Sequence, residues 1–520
     1  MQRRVRLQQF QPNVFLHRHR AYSANLARQA KCCASDSAGT RRVAIVGGGF
    51  AGVATAHYLA ASASVAHPIV VHLYDIAGLG SGGSGAAGGL LHPFSPKGKV
   101  SKVYSEGYTF QLLWKGQEAF EAALELIAAA EHASKQSDPV SEPFVWRQDI
   151  LRPAADASQA AGFEVLRTGP VGTSASVQAI NAEQAHELLP GLTPSALPSH
   201  PAGGKESAVA LLISGGLVLH PEKYLRHLWQ SCERVLTQLG NGSEASLRLQ
   251  QVQSLAQLEQ QHGPYDAIVV AAGAAAGVLP EVGDALPVRL SQGYGLELVP
   301  PCPDPNLNQA QADSAAPGYL SAASQRPELS QQSMAPADKD IQRWNSPIDD
   351  HSAALHSTQF PEGAPSLVGS TYMGVQGGQQ VAVGATKRFG FTAEQALQEC
   401  GRQVTNVGEV AQAEALLRPR AEGLWDPAST WQVARVRSGV RALPQKTADG
   451  AIPLAGKLPS SDNMHNWWVV GGLGARGLVY HAWLGKMIAH AALEGTEDGL
   501  PDQLLRWKAS VPKSHKHVEQ

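Results

Sequence analysis

Short apolar runs, each closed by glycine, divide the chain into alternating strand-like and helix-like segments. Residues 42–46 (RVAIV) read as a buried strand and run straight into glycines. Residues 50–63 follow with an alanine-rich helical pattern, and 69–74 form a second strand pattern ending at Asp75. A glycine-rich loop spans 78–89. Between 108 and 133, Phe110, Leu113, Trp114, Phe120, Leu124 and Ile127 recur at helical spacing. Strand patterns return at 265–271, 288–299, 366–373 and 380–386. A helix is predicted over 392–417, then a strand beginning at Trp431 and a turn at Asp449-Gly450. Residues 467–470 form a last strand, followed by a second glycine cluster and a helix over 479–493. Residues 301–365 break this rhythm. They are rich in Pro, Ser, Gln, Ala and Asp without periodicity and are expected to be a disordered insertion between two strands. No repeat of 20–50 residues is visible.

Composition narrows the class. A chain of 520 residues with 43% hydrophobic and 17% charged residues buries a large core. No uncharged apolar run reaches the length that spans a bilayer; the longest candidate, Ala267 to Pro280, is short and broken by glycine. Five cysteines without a CxxC pair exclude a disulfide scaffold and a cysteine-rich zinc module. His92, His220 and His481 lack metal-ligand spacing, so no metal site is expected. Cys232 and Cys400 fall in predicted helices and read as structural, whereas Cys302 sits in the insertion.

Charge is uneven. Residues 1–40 carry Arg3, Arg4, Arg6, Arg18, Arg20, Arg28 and Lys31 against the single acid Asp36, with no apolar h-region. This is the composition of an organellar transit peptide, chloroplast rather than mitochondrion; a plain basic tail or an early start codon is the competing reading. Removing that net +6 from the formal −2 leaves −8 for the remainder, which argues against a sequence-independent nucleic-acid binder. Lys97, Lys99 and Lys102 read as a solvated charge run rather than an anion receptor.

Gly47-Gly48-Gly49-Phe50-Ala51-Gly52 is a GxGxxG motif between a predicted strand and a predicted helix. Gly47 permits the tight turn, Gly49 lets backbone approach a pyrophosphate, and Gly52 lets the helix pack on the strand. The helix N-terminus, at Phe50 and Ala51, presents N–H groups and a partial positive charge to phosphate. Asp75, at the end of the second strand, is placed to take both ribose hydroxyls and disfavours a 2′-phosphate, hence NADP. The motif alone does not separate FAD from NAD. A late strand ending at Ala272 and Gly273, and a second glycine cluster, Gly471 to Gly477, opening a helix, fit FAD.

With these pieces in place, the chain resembles the D-amino-acid-oxidase-like FAD-dependent oxidoreductases, the group with glycine oxidase and sarcosine oxidase. The stretch Gly80 to Pro93 and the stretch Gly472 to Leu478 are most similar to the FAD domain of the bifunctional enzymes of 5-methylaminomethyl-2-thiouridine biosynthesis. Residues 288–293, Gly384-Ala385-Thr386 and the Gly439-Val440-Arg441 … Asp449 to Gly456 run also match the family pattern.

The resemblance implies an α/β fold. A Rossmann-type, glutathione-reductase-like FAD domain, discontinuous over 41–105, 206–286 and 430–500, carries an α+β substrate domain over 106–205 and 287–429, built on a mixed or antiparallel sheet. Residues 501–520 are expected to be a tail. It implies non-covalent FAD, because no cysteine lies in 430–490. Ser81, Ser84, Gly85, Gly88, Gly89 and Leu90 would wrap the cofactor, as would Gly472, Gly474, Ala475, Arg476, Gly477 and Leu478. Arg441 would hold a substrate carboxylate bidentately, with Arg476 as a second catalytic cation. Tyr294 and Tyr480 fall either at the substrate cavity or in the core.

The implied chemistry is hydride transfer from an amine-bearing carbon to flavin, imine hydrolysis, and reoxidation by O2 or another acceptor. Its substrate is a small amine or amino acid. Two alternatives stand beside it. One is removal of a carboxymethyl group from a tRNA wobble uridine, disfavoured by the acidic body and favoured by the resemblance of the Gly80–Pro93 and Gly472–Leu478 stretches. The other is a non-catalytic FAD-binding redox sensor, disfavoured by the presence of both arginines.

Overall fold

The strand Arg41–Val46 is central to a six-stranded sheet. Ile69–Asp75 pairs with it on one side and Ala267–Val270 on the other, both in parallel register. Glu244–Leu249 and Trp467–Gly471 extend the parallel sheet outward, and Leu454–Lys457 closes one edge antiparallel. These relations come from a computed structural model that describes residues 39–95, 100–103, 107–168, 176–198, 207–301, 359–459 and 465–510. The basic leader expected over 1–40 lies outside these residues except for Gly39 and Thr40, as do Lys97, Lys99 and Cys302.

The sheet's apolar runs are buried on both faces, which explains why they read as continuous rather than alternating. One face is covered by the helix Phe50–Ser62, whose small residues let two further helices, Pro221–Leu239 and Gly477–Glu494, pack close against it. A Cβ on Gly485 would come within 2.8 Å of Ala54.

A second, nine-stranded mixed sheet faces the first across a cleft. Its long pair is Val288–Val299 against Gln432–Pro444, antiparallel along almost their full length. Val381–Gly384, Tyr372–Val375 and Ser366–Val368 continue it, and Ile150–Pro153 joins parallel to Ser366–Val368. The core between this sheet and the helix Val407–Glu422 contains Trp425, Trp431 and Leu417.

Several sequence expectations shift. The helix expected from Tyr108 begins at Gly116; Gly107–Phe110 is instead a strand paired with Val100–Val103. That helix, Gly116–Ser137, belongs with the parallel sheet and not with the substrate part, because Ala119, Ala123 and Ile127 bury into the first core. Conversely, Gln432–Pro444, expected in the nucleotide domain, is a strand of the second sheet. Ala210–Ile213 likewise pairs into the second sheet.

The expected 392–417 helix is two helices, Ala393–Gln398 and Val407–Glu422. Each starts at its own cap, Thr392 in a capping box and Asn406, and Gly401 between them sits at φ 72°. The expected strand over 366–373 is a hairpin. Most of the expected insertion, 302–358, lies outside the described residues. Its last residues, 359–365, are described, and there Phe360 is buried against Trp425. Within the expected tail, residues 501–510 form two short helices that bury Leu504 and Trp507, with Trp507 Nε1 donating to the Ala455 carbonyl.

Candidate active site

The carboxyl ends of the parallel strands and the inner face of the second sheet enclose a cavity of about 440 Å³. Ligands of open α/β sheets bind at this end of the strands, because there the loops diverge and the helix N-termini converge. Of the residues expected to bind cofactor, all line this cavity except Gly52, Gly85 and Arg476.

The first turn is built by steric necessity. Gly47 sits at φ 116°, and a Cβ there would lie 2.5 Å from the Ala271 carbonyl oxygen. Gly52 stands behind the lining: a Cβ on it would lie 1.9 Å from the Gly47 oxygen, so helix and strand touch backbone to backbone. The helix that starts at Phe50 has no acid in its first turn, so its positive end is not neutralised by a side chain.

Ser84 reaches into that end. Its Oγ accepts from the Phe50 N–H at 3.0 Å and lies 2.9 Å from the position of a Cβ on Gly49. The hydroxyl therefore occupies one orphan donor and keeps its own hydrogen to give to an anion.

Asp75 is more committed than expected. Its Oδ1 accepts from Ala77 N, Gly78 N and Ser81 Oγ, and its Oδ2 accepts from Gly48 N at 2.7 Å. Only Oδ2 retains capacity, so the carboxylate fixes the Gly78–Gly89 loop to the first turn and is not free to take two hydroxyls with both oxygens. Cys400, expected inside a helix, follows the short helix and borders the cavity.

The loop is pinned from the far side. Arg437, buried in the second sheet, pairs with Glu297 and donates to the Gly85 carbonyl at 2.8 Å. Gly83 and Gly439 admit the close approach: a Cβ on Gly83 would lie 2.7 Å from the Val440 oxygen, and one on Gly439 2.8 Å from Ala86 Cβ. The two domains thus meet through glycine at the cavity floor.

Arg441 projects from Gln432–Pro444 across Gly293, where a Cβ would lie 2.5 Å from its Nη2. Nη2 donates to the Thr386 carbonyl at 2.9 Å. No described carboxylate pairs with it. Burial pushes its pKa down, and Tyr372 nearby opposes that shift; guanidinium stays charged regardless. A half-buried, unneutralised cation on a cavity wall is a site for an anion.

Arg476 does not join it. Its Nη1 donates to the Ala451 carbonyl at 3.1 Å and the side chain is not part of the cavity wall; only its neighbours Gly474, Ala475, Gly477 and Leu478 are. A cation at a helix start avoids the positive N-terminus and finds a carbonyl on the neighbouring turn.

Neither expected tyrosine borders the cavity. The Tyr294 hydroxyl donates to Glu409 and its ring lies in the second core, and the Tyr480 hydroxyl donates to the Trp114 carbonyl at 2.6 Å. Tyr372 lines the wall, as does Tyr74 at the end of its strand, and sequence reasoning missed Tyr372. Its signal was indirect: Gly88 and Gly384 both yield to its ring, with Cβ positions 2.1 and 2.5 Å from its atoms. His92 also lines the cavity, with its pKa lowered to about 4 by burial first and by Arg152 second.

His481, by contrast, is wholly buried. It donates through Nδ1 to the Leu478 carbonyl and accepts at Nε2 from the Tyr224 hydroxyl at 2.6 Å. Among the described residues no cluster of His, Cys, Asp or Glu can hold a metal, and no helix is long and apolar enough to cross a membrane.

Comparison with known proteins agrees with this geometry. The chain is similar to glycine oxidase from Geobacillus kaustophilus, at 18% identity over 88% of this chain and 96% of that one, with a TM-score of 0.55. It is similar to iminodiacetate oxidase from Chelativorans sp. BNC1, at 18% identity over 90% and 98%, TM-score 0.51. It is also similar to L-alpha-glycerophosphate oxidase from Mycoplasma pneumoniae with FAD bound, at 14% identity over 88% and 95%, TM-score 0.50. At these identities the likeness establishes the fold. Among curated proteins none matches by sequence. The family model of FAD dependent oxidoreductases (DAO) matches residues 42–491, so the chain belongs to that family of FAD-binding oxidoreductases.

Proposed function

We propose that this FAD-dependent oxidoreductase oxidises the C–N bond of a small amino acid or secondary amine that carries a carboxylate. Arg441 carries the reading: it is a half-buried guanidinium on the cavity wall with no carboxylate partner among the described residues. A planar guanidinium binds carboxylate through two parallel N–H donors and so fixes the orientation of the carbon beside it.

The residues on the wall fit FAD held without a covalent bond. The Gly47–Gly52 turn and Ser84 offer donors to the pyrophosphate, Asp75 Oδ2 offers an acceptor at the ribose end, and the backbone of Gly472 to Leu478 opens a second helix onto the cavity. FAD, when bound, would supply the two-electron acceptor, taking one hydride from the carbon beside the nitrogen. The protein's share is to bind the amino acid through Arg441, to exclude water with Tyr372 and the glycine floor, and to keep the loop in place through Arg437.

Purified holoenzyme mixed anaerobically with glycine, sarcosine or D-amino acids tests this. Loss of the oxidised flavin band with one of them, and release of H2O2 on admitting O2, is the expected result. An Arg441→Met variant that retains FAD but loses about 10²–10³-fold in kcat/KM follows from removing one partner of a desolvated charge pair. Retained flavin with no bleaching by any amine would leave a redox sensor.

The basic segment 1–40 supports an organellar address, chloroplast in preference to mitochondrion. Fusion of these residues to a fluorescent protein, followed by import into isolated organelles, checks that address, and a diffuse signal would remove it.

A further inference from the structure

Beside Arg441 the cavity presents a second cation that the proposed reaction has not used. Val288–Val299 pairs on one side with Gln432–Pro444, setting Ser291 opposite Arg441, and on the other with the short strand Arg388–Phe389, setting Ser291 opposite Phe389. Side chains alternate along strands, so Ser291, Gly293, Arg441 and Phe389 share one face. Lys387, two residues before Phe389, falls on that same face.

Lys387 and Arg441 both line the cavity, and Arg441 donates to the carbonyl of Thr386, the residue adjoining Lys387. Lys387 is exposed at the rim and forms no ion pair or hydrogen bond with any described residue. Arg289, on the adjoining strand, lies over the Phe389 ring, 4.7 Å from its centroid.

The acids on the wall do not balance these charges. Asp75 is engaged by Gly48, Ala77, Gly78 and Ser81. Glu399 is engaged by Arg402, Gln292 and Ser438. The substrate end is therefore left with two cations and no free carboxylate, one deep and bidentate, the other a mobile point charge at the entrance.

We propose that the substrate is a dianionic amine, whose first carboxylate is taken by Arg441 and whose second carboxylate, on the far side of the nitrogen, is taken by Lys387. This rests on the reading of Arg441 as a carboxylate site. A lone ammonium matches a monovalent carboxylate, and at an exposed rim it discriminates by a modest factor.

Two thioethers with no amine to oxidise separate the charges: thiodiacetate carries two carboxylates and (methylthio)acetate carries one. Each is titrated into the holoenzyme, and the shift of the flavin absorption band gives its dissociation constant. The expected result is that thiodiacetate, after division by two for its two equivalent carboxylates, binds about three- to tenfold more tightly in low salt. That ratio should fall to about one in Lys387→Met and invert in Lys387→Glu.

A ratio near one in the unmodified enzyme, with (methylthio)acetate binding that depends on Arg441, overturns the second anion and leaves the amino-acid reading standing. A ratio that survives both Lys387 substitutions overturns the assignment to Lys387. Binding of (methylthio)acetate that is unchanged in Arg441→Met overturns the reading beneath it, and absence of any shift with either thioether overturns both.

Discussion

Single glycines decide whether the cavity wall can close. Gly52 has no room at all: a methyl group would occupy the position of the Gly47 carbonyl oxygen. We expect Gly52→Ala to push the first helix off its strand and yield protein without flavin absorbance, checked by the ratio of the flavin to the protein band after purification. Ser84→Ala should be milder. It removes one neutral hydrogen bond to the Phe50 N–H, on the order of 1 kcal/mol, so the FAD dissociation constant should rise several-fold while the fold is retained. Titration of apoprotein with FAD reads that change.

His481 sets a pH dependence at the same scale. Burial lowers its pKa from 6.5 to about 4. The unfolded chain therefore takes up the proton first on acidification. His481 contributes its full stability above about pH 6.5, and that contribution is lost as pH falls toward 4, at about 1.4 kcal/mol per pH unit for a fully buried group. Thermal melts between pH 7.5 and 4.5 should show the midpoint falling below pH 6.5. A flat profile would show that this imidazole is not buried neutral.

At the scale of elements, the two helices that open on the cavity depend on each other. Phe50–Ser62 and Gly477–Glu494 cross where Gly485 meets Ala54. Gly485→Leu forces them apart, and overpacking of this kind costs about 1–3 kcal/mol. Because both helix N-termini line the cavity, the variant should lose FAD affinity as well as stability. A melt combined with FAD titration distinguishes this from a remote packing defect, which would lower the melting temperature and leave affinity intact.

The breaks in elements that sequence did not show have local causes. The 392–417 pattern kept helical spacing through a region where Asn406 caps a new helix and Gly401 adopts a left-handed turn. Periodicity records which face is apolar and does not record an interruption that preserves the phase. The strand Gln432–Pro444 was legible as a strand. Its partner was not, because pairing with a segment 133 to 156 positions away leaves no mark in either segment's own pattern.

For the whole molecule, the cavity is a joint between two cores, one on each sheet. The cavity wall draws on both, so FAD bound there should act as a mortar. Dialysing FAD away is expected to lower the melting temperature by several degrees, and excess FAD should restore it in a concentration-dependent way. An apoprotein that melts with the holoenzyme would place the cofactor outside the stabilising contacts.

What the sequence determined by itself was everything carried by local constraint. The Gly47–Gly52 turn, the acid at the end of the second strand and the second glycine cluster each state a backbone requirement that only a few residue types meet, so fold class, family resemblance and cofactor were readable from them. What the tertiary structure decided was direction and neighbourhood. It turned Arg476 to the Ala451 carbonyl, left Arg441 unneutralised on the wall, brought Tyr372 in from an unremarked hairpin, and set Lys387 beside Arg441. The physical reason is that a charge or a ring acquires its role from what surrounds it in space, and those surroundings come from strands far apart along the chain.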